Sequence, residues 1–111
     1  MRGAAIDPGR LRHPLALQQA TATPDGAGGF AESWTTVATV FGRIEPLRAD
    51  SFSRADQIME EVTHRITIRH RANVSAGMRF SAGGRVFEIV TVHDPDETGR
   101  FLECRTRERL G

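Results

Sequence analysis

Val62-Thr63-His64-Arg65-Ile66-Thr67-Ile68-Arg69-His70-Arg71 decides the fold class. Val62, His64, Ile66, Ile68 and His70 alternate with Thr63, Arg65, Thr67, Arg69 and Arg71, so one face is suited to a core and the other carries arginines and threonines. A period of two is the mark of a strand with one buried face. Upstream, residues 33–47 read as a long strand, with Trp34, Thr36, Ala38, Val40 and Ile44 assigned to one face and Val37, Thr39, Phe41, Arg43 and Glu45 to the other. Gly42 within it suits a bend or bulge. Before that strand, Leu15, Leu17 and Gln19 alternate with Ala16, Gln18 and Ala20. The stretch between, Thr23-Pro24-Asp25-Gly26-Ala27-Gly28-Gly29, is a turn, because proline presets φ and the glycines admit positive φ.

Downstream, residues 73–77 turn the chain, Met78-Arg79-Phe80 leads to the hairpin signal Gly83-Gly84, and residues 85–93 carry apolar side chains on both faces. Val86, Val90 and Val92 fall on one face and Phe87 and Ile89 on the other, as expected of a strand covered on both sides. Asp94-Pro95-Asp96-Glu97-Thr98-Gly99 turns again, and residues 101–107 close as a last strand with Leu102, Cys104 and Thr106 inward. The expected fold is mainly β: a small antiparallel β-barrel or sandwich of five or six strands with one short helix or long loop. Residues 1–13 have no apolar periodicity and read as an N-terminal arm, and residues 14–111 as a single barrel domain. Residues 48–60 break the alternation and are an insertion. A short helix capped by Asp50 or Ser51 with Ala55, Ile58 and Met59 inward, and a polar loop, are equally compatible with them.

The 111 residues suffice for one domain. No apolar run approaches the roughly 18–20 residues of a membrane span, and residues 1–8 lack the apolar stretch of a secretory signal, so no membrane association is expected. A single cysteine, Cys104, excludes an internal disulfide framework, and a reducing compartment is expected.

Charge is unevenly placed. All 15 basic residues are arginines, against 14 acids, for a net charge of +1. Residues 65–85 hold five arginines and no acid, whereas residues 41–64 and 86–111 each carry a net −2. Segregated patches of opposite sign suit neighbouring subunits that pair basic on acidic surfaces, since complementary charge fixes register and partner.

Catalytic chemistry needs a nucleophile with its base, paired carboxylates or grouped metal ligands. His64 and His70 lie roughly 20 Å apart along one strand and cannot share a metal. Cys104 reads as a small buried hydrophobe, and the glycine pairs Gly28-Gly29 and Gly83-Gly84 sit in hairpin turns, not in phosphate loops. No catalytic residue, metal site or cofactor is expected.

Several segments fall in a familiar order: Gly9-Arg10-Leu11-Arg12-His13-Pro14-Leu15 before Leu17-Gln18-Gln19, a glycine-rich turn, Trp34 with Val37-Ala38, and Gly42-Arg43-Ile44-Glu45-Pro46-Leu47. They continue with residues 63–69, Gly77-Met78-Arg79-Phe80, and Gly84-Arg85-Val86-Phe87-Glu88-Ile89. This ordered set, covering nearly the whole chain, resembles the phage head-tail joining proteins, also called head closure or stopper proteins. Departures are Gly42, where a residue such as alanine is expected, and the absence of tyrosine, with His70 and Phe80 at positions that are often aromatic.

The resemblance implies a small β-barrel in a homo-hexameric ring in the neck of a virion or phage-like particle, assembled in the bacterial cytoplasm. Its partners would be the portal or adaptor (head completion) ring, the tail terminator or tail tube proteins, and packaged double-stranded DNA in the channel. Residues 48–60 would project into that channel, with Arg48, Phe52 and Arg54 as the gate candidates. Arg10, Leu11, Arg12, Arg65, Arg69, Arg71, Arg105, Arg107 and Arg109 would be subunit or adaptor contacts. An infectious phage, a prophage and a gene transfer agent are equally compatible. The alternatives are a tail terminator or minor tail protein, and a small β-barrel nucleic-acid binder using residues 65–71. The second is weakened by the lack of any aromatic side chain among those arginines to stack on bases.

Overall fold

A computed structural model of the chain describes residues 8–47 and 62–109. After a single 3-10 turn at Pro8–Arg10 come six strands: β1 His13–Pro24, β2 Phe30–Pro46, β3 His64–Arg69, β4 Arg79–Ala82, β5 Arg85–His93 and β6 Phe101–Arg109. Every neighbouring pair is antiparallel, and the order β1-β2-β3-β6-β5-β4 returns to β1 as a closed barrel. Of the two architectures expected, the barrel is the one formed. The helix-or-loop alternatives for residues 48–60, and the gate candidates Arg48, Phe52 and Arg54, lie outside the described residues.

The core is the inner face of the alternation. Leu15 and Leu17 from β1, Ile66 and Ile68 from β3, Phe80 from β4, Phe87 from β5 and Cys104 from β6 are all fully buried. Thr106 is buried as well, its hydroxyl donating to the His64 carbonyl at 3.0 Å, so the polar group carries no unmet hydrogen bond inside.

Two bulges revise the expected strand faces. In β2, Leu17 pairs with Ala38 but Gln18 pairs with Thr36, so Val37 is an extra residue and the phase flips there. Ala38 and Val40 lie with Leu17 and Leu15, whereas Trp34 and Thr36 share the opposite, outer face with Gln18. Trp34 lies under the Arg79 guanidinium, 4.1 Å from the ring centroid, while Arg79 Nε donates to Gln18 Oε1 at 2.7 Å. In β5 the irregularity between Ile89 and Thr91 makes Val90 the extra residue. Phe87 and Ile89 point inward, and Val92 rejoins the core after the bulge. The phase shift thus takes Val90 and Val92 off the face to which simple alternation assigns them, and Val86 is left as the half-buried apolar residue opposite Phe87 and Ile89.

Gly42 is not a bend. It pairs regularly with His13 on one side and Ile68 on the other. A Cβ there would stand 2.8 Å from Leu15 Cδ1, 3.0 Å from the Thr67 carbonyl oxygen and 3.1 Å from Ile68 Cγ2, so glycine is needed for the approach of three strands.

β1 pairs with β4 only as far as Gln18, and β2 pairs with β3 only from Gly42 onward. Beyond those points, residues 19–24 and 30–35 pair only with each other and leave the barrel as a two-stranded ribbon. The molecule measures 56 × 34 × 25 Å, with a radius of gyration of 15.4 Å, above the about 13 Å of a compact chain this long. Asp25 shapes the ribbon's tip: its carboxylate accepts from the Ala27 N–H at 2.8 Å and the Gly29 N–H at 3.1 Å, while Gly26 and Gly28 take φ of +82° and +84°.

Candidate interaction surfaces

The arginines fall into two groups. Arg65 bridges Glu45 at 3.2 Å and Glu103 at 3.1 Å; Arg107 and Arg109 share Glu88 at 3.0 and 2.9 Å; Arg85 holds Glu108 at 2.8 Å. Arg109, ahead of Arg107, keeps the Glu88 carboxyl below its usual 4.5 against the opposing effect of burial. Among the described residues, no ion pair reaches Arg10, Arg12, Arg69, Arg71 or Arg105. Arg12 Nε donates to the Gly9 carbonyl and Arg71 Nε to the Ala72 carbonyl, both local contacts.

Arg69 and Arg71 rim a groove of about 260 Å³ that is also lined by Leu11, Val40, Phe41 and His70. It forms because β3 ends at Arg69 and the chain turns away, uncovering the flank of β2. Phe41 is left 56% exposed and Val37 43%. Leu11, at 9% exposure, docks the incoming arm beside it. Of the contact candidates read from the sequence, the fold brings Leu11, Arg69 and Arg71 to this groove. Arg65, Arg107 and Arg109 lie elsewhere on the barrel wall, already engaged by carboxylates.

The opposite end of β2 carries a polar cap. The Leu47 N–H donates to the Thr63 carbonyl at 2.9 Å, so the two ends of the inserted segment leave and re-enter side by side. Next to this base, His64 packs edge-on against Phe87, ring centroids 5.2 Å apart at 75°. Its Nε2 lies 3.9 Å from Glu108, and its Nδ1 lies 2.9 Å from Thr63 Oγ1, which accepts from the Glu108 N–H at 2.7 Å. This is a packed, hydrogen-bonded strand histidine, and the described residues hold no cluster of three or more metal-ligating side chains. Burial holds the imidazole below its ordinary 6.5; Glu108 works against that and Arg85 reinforces it.

Because its folded-state value is depressed, His64 contributes stability that is complete above about pH 6.5 and is lost as the pH falls through the folded value. The carboxylates of Glu88 and Glu108, held below 4.5 by arginines, contribute to stability above 4.5 and lose that contribution at lower pH. Thermal unfolding recorded from pH 7.5 to 5 should therefore show a midpoint that declines on acidification. His64→Gln should flatten that decline, and an unchanged slope would show that the imidazole is not its source.

A hairpin turning at residues 23–29 is what the sequence predicts, and it is present; what the strand pattern by itself does not disclose is that the two arms run on past the barrel as a ribbon. Its signals were the length of the alternation and a charge gap: residues 13–42 contain Asp25 and Glu32 and no arginine. At its end, Phe30 is 72% exposed.

A family model described as phage head completion protein matches residues 6–109. A chain from the virion of a native gene transfer agent particle is similar in fold and sequence, with a TM-score of 0.66 at 27% identity over 92% of this chain and 98% of that one. Protein SF1141 of Shigella flexneri 2a, a solution structure, gives a TM-score of 0.67 at 25% identity, covering 91% of this chain and 96% of that one. No curated protein matches.

Proposed function

The chain belongs to the phage head completion protein family, and from that membership we propose that it is a neck protein forming a homo-hexameric ring between the portal or adaptor ring and the tail. As a family member it is a structural protein of a phage or phage-like virion. In the proposed ring it closes the filled head, retains the packaged double-stranded DNA and gives the tail its docking surface. The observation that carries this reading is the likeness, over nearly the whole chain, to a subunit of a gene transfer agent virion.

Residues 48–60 are the channel element in this proposal, with Arg48, Phe52 and Arg54 directed toward DNA. The juxtaposed Leu47 and Thr63 suit a segment that must project from a fixed base. The arm residues Arg10, Leu11 and Arg12, with Arg69, Arg71 and Arg105, supply contacts to neighbouring subunits or the adaptor, and Arg65, Arg107 and Arg109 mainly brace the barrel wall. Removing the gene from the element that encodes it should give filled heads that leak DNA and carry no tails, seen by electron microscopy and nuclease sensitivity. Tailed, DNA-retaining particles in its absence would overturn the proposal.

A further inference from the structure

We propose that the β1–β2 ribbon of one copy seats Phe30 in the groove between Phe41 and Arg69 of the next copy, and that this contact, repeated head to tail, closes the ring; the inference rests on the neck-ring reading above. An exposed two-stranded ribbon is marginal by itself in water. Here residues 21–28 and 30–33 are all exposed, and Phe30, beside the tip, is 72% exposed. Phe30 and Glu32 share one face because no bulge separates them.

The groove is their complement. Val40 and Phe41 form its apolar floor, and Arg69 and Arg71 stand at its rim without carboxylate partners among the described residues. The ribbon supplies what they lack: Asp25 and Glu32, with no cation anywhere on it. A copy cannot fill its own groove, since tip and groove lie at residues 30 and 41 of the same paired strand. The contact is therefore heterologous, the kind that closes into a ring when the rotation allows. Because Val37 is a bulge residue, the step from Phe30 to Phe41 covers ten residues of the paired strand, at most about 33 Å, and this bounds the displacement between equivalent grooves of neighbouring copies.

Ala31→Cys and Ala72→Cys, combined in one chain, place thiols beside the tip and beside the groove at exposed positions. Cys104 is fully buried and will not compete. Treating assembled particles with a short bismaleimide should give a ladder of covalent oligomers of this chain, whereas each single variant should give none beyond a dimer. Phe30→Ser or Glu32→Arg added to the double variant should abolish the ladder, and Arg69→Glu should restore it for Glu32→Arg. Absence of a ladder from tailed, DNA-retaining particles would overturn the contact while leaving the neck role standing. Cross-linking of the groove thiol only to a different particle protein would overturn it too, by assigning the groove to that partner. Loss of the neck role has a separate signature, tailed particles that form without the gene.

Discussion

Phe87→Ala should lower the thermal midpoint of the purified protein by on the order of 15–20 °C, corresponding to a loss of about 3–5 kcal/mol. Phe87 is fully buried and directly opposite Phe80, also fully buried, across the β4–β5 pair. Its ring meets His64 edge-on and lies under the Arg85 guanidinium at 4.8 Å. Truncation removes this aromatic pairing and opens a cavity that the walls cannot close. A closed barrel resists collapse because drawing one strand inward breaks the hydrogen bonds that join it to two neighbours.

Cys104 supplies a second readout. Burial, ahead of the neighbouring Glu103, pushes its thiol up to about 12. In the intact barrel it is fully buried, so labelling by a thiol reagent follows opening of the fold. The rate should rise sharply in Phe87→Ala and little in Val86→Ala, where the neighbouring side chain is only half-buried. Equal labelling of wild type and Phe87→Ala would mean that the wall repacks around the missing ring.

The strand alternation was the most legible part of the fold. Ile66 and Ile68 are inward as their spacing requires, and so are Leu15, Leu17, Leu102, Cys104 and Thr106. Legibility ended at the two bulges. A single extra residue is invisible to a period-two count, so Trp34 was assigned to the same face as Val40 although Val37 places them on opposite sides. The basic unit at residues 65–85 shows a second limit. Summed along the chain, its five arginines look alike. In the barrel, Glu45, Glu103 and Glu108 arrive from other strands to meet Arg65 and Arg85, and Arg79 is taken up by Gln18 and Trp34. Among the described residues, Arg69 and Arg71 are left with no carboxylate and no partner side chain, beside an apolar floor that neither composition nor spacing reveals.

The groove also depends on Gly42, which is adjacent to Phe41. Gly42→Val should destabilise the barrel by about 3 kcal/mol or more, and Gly42→Ala by about 1–3 kcal/mol. A small domain holds only about 5–15 kcal/mol in total, so the valine variant should accumulate largely unfolded or insoluble. The obstacles are steric. Leu15 Cδ1, 2.8 Å from the missing Cβ, is the end of a flexible side chain, but a fully buried one. The Thr67 carbonyl oxygen at 3.0 Å is backbone, fixed by the β3 ladder, and can move only if β3 moves with it. Valine adds two methyl groups at the point where β1, β2 and β3 converge, and displacing β3 also displaces Arg69 from its place beside Phe41. Chemical denaturation of Gly42→Ala alone and with Leu15→Val separates the two obstacles. If the leucine is part of the clash, the double variant is more stable than the sum of the single losses, because contacting residues do not add. Strict additivity would place the whole cost on the carbonyl, and a Gly42→Ala variant as stable as wild type would show that neither obstacle constrains the site.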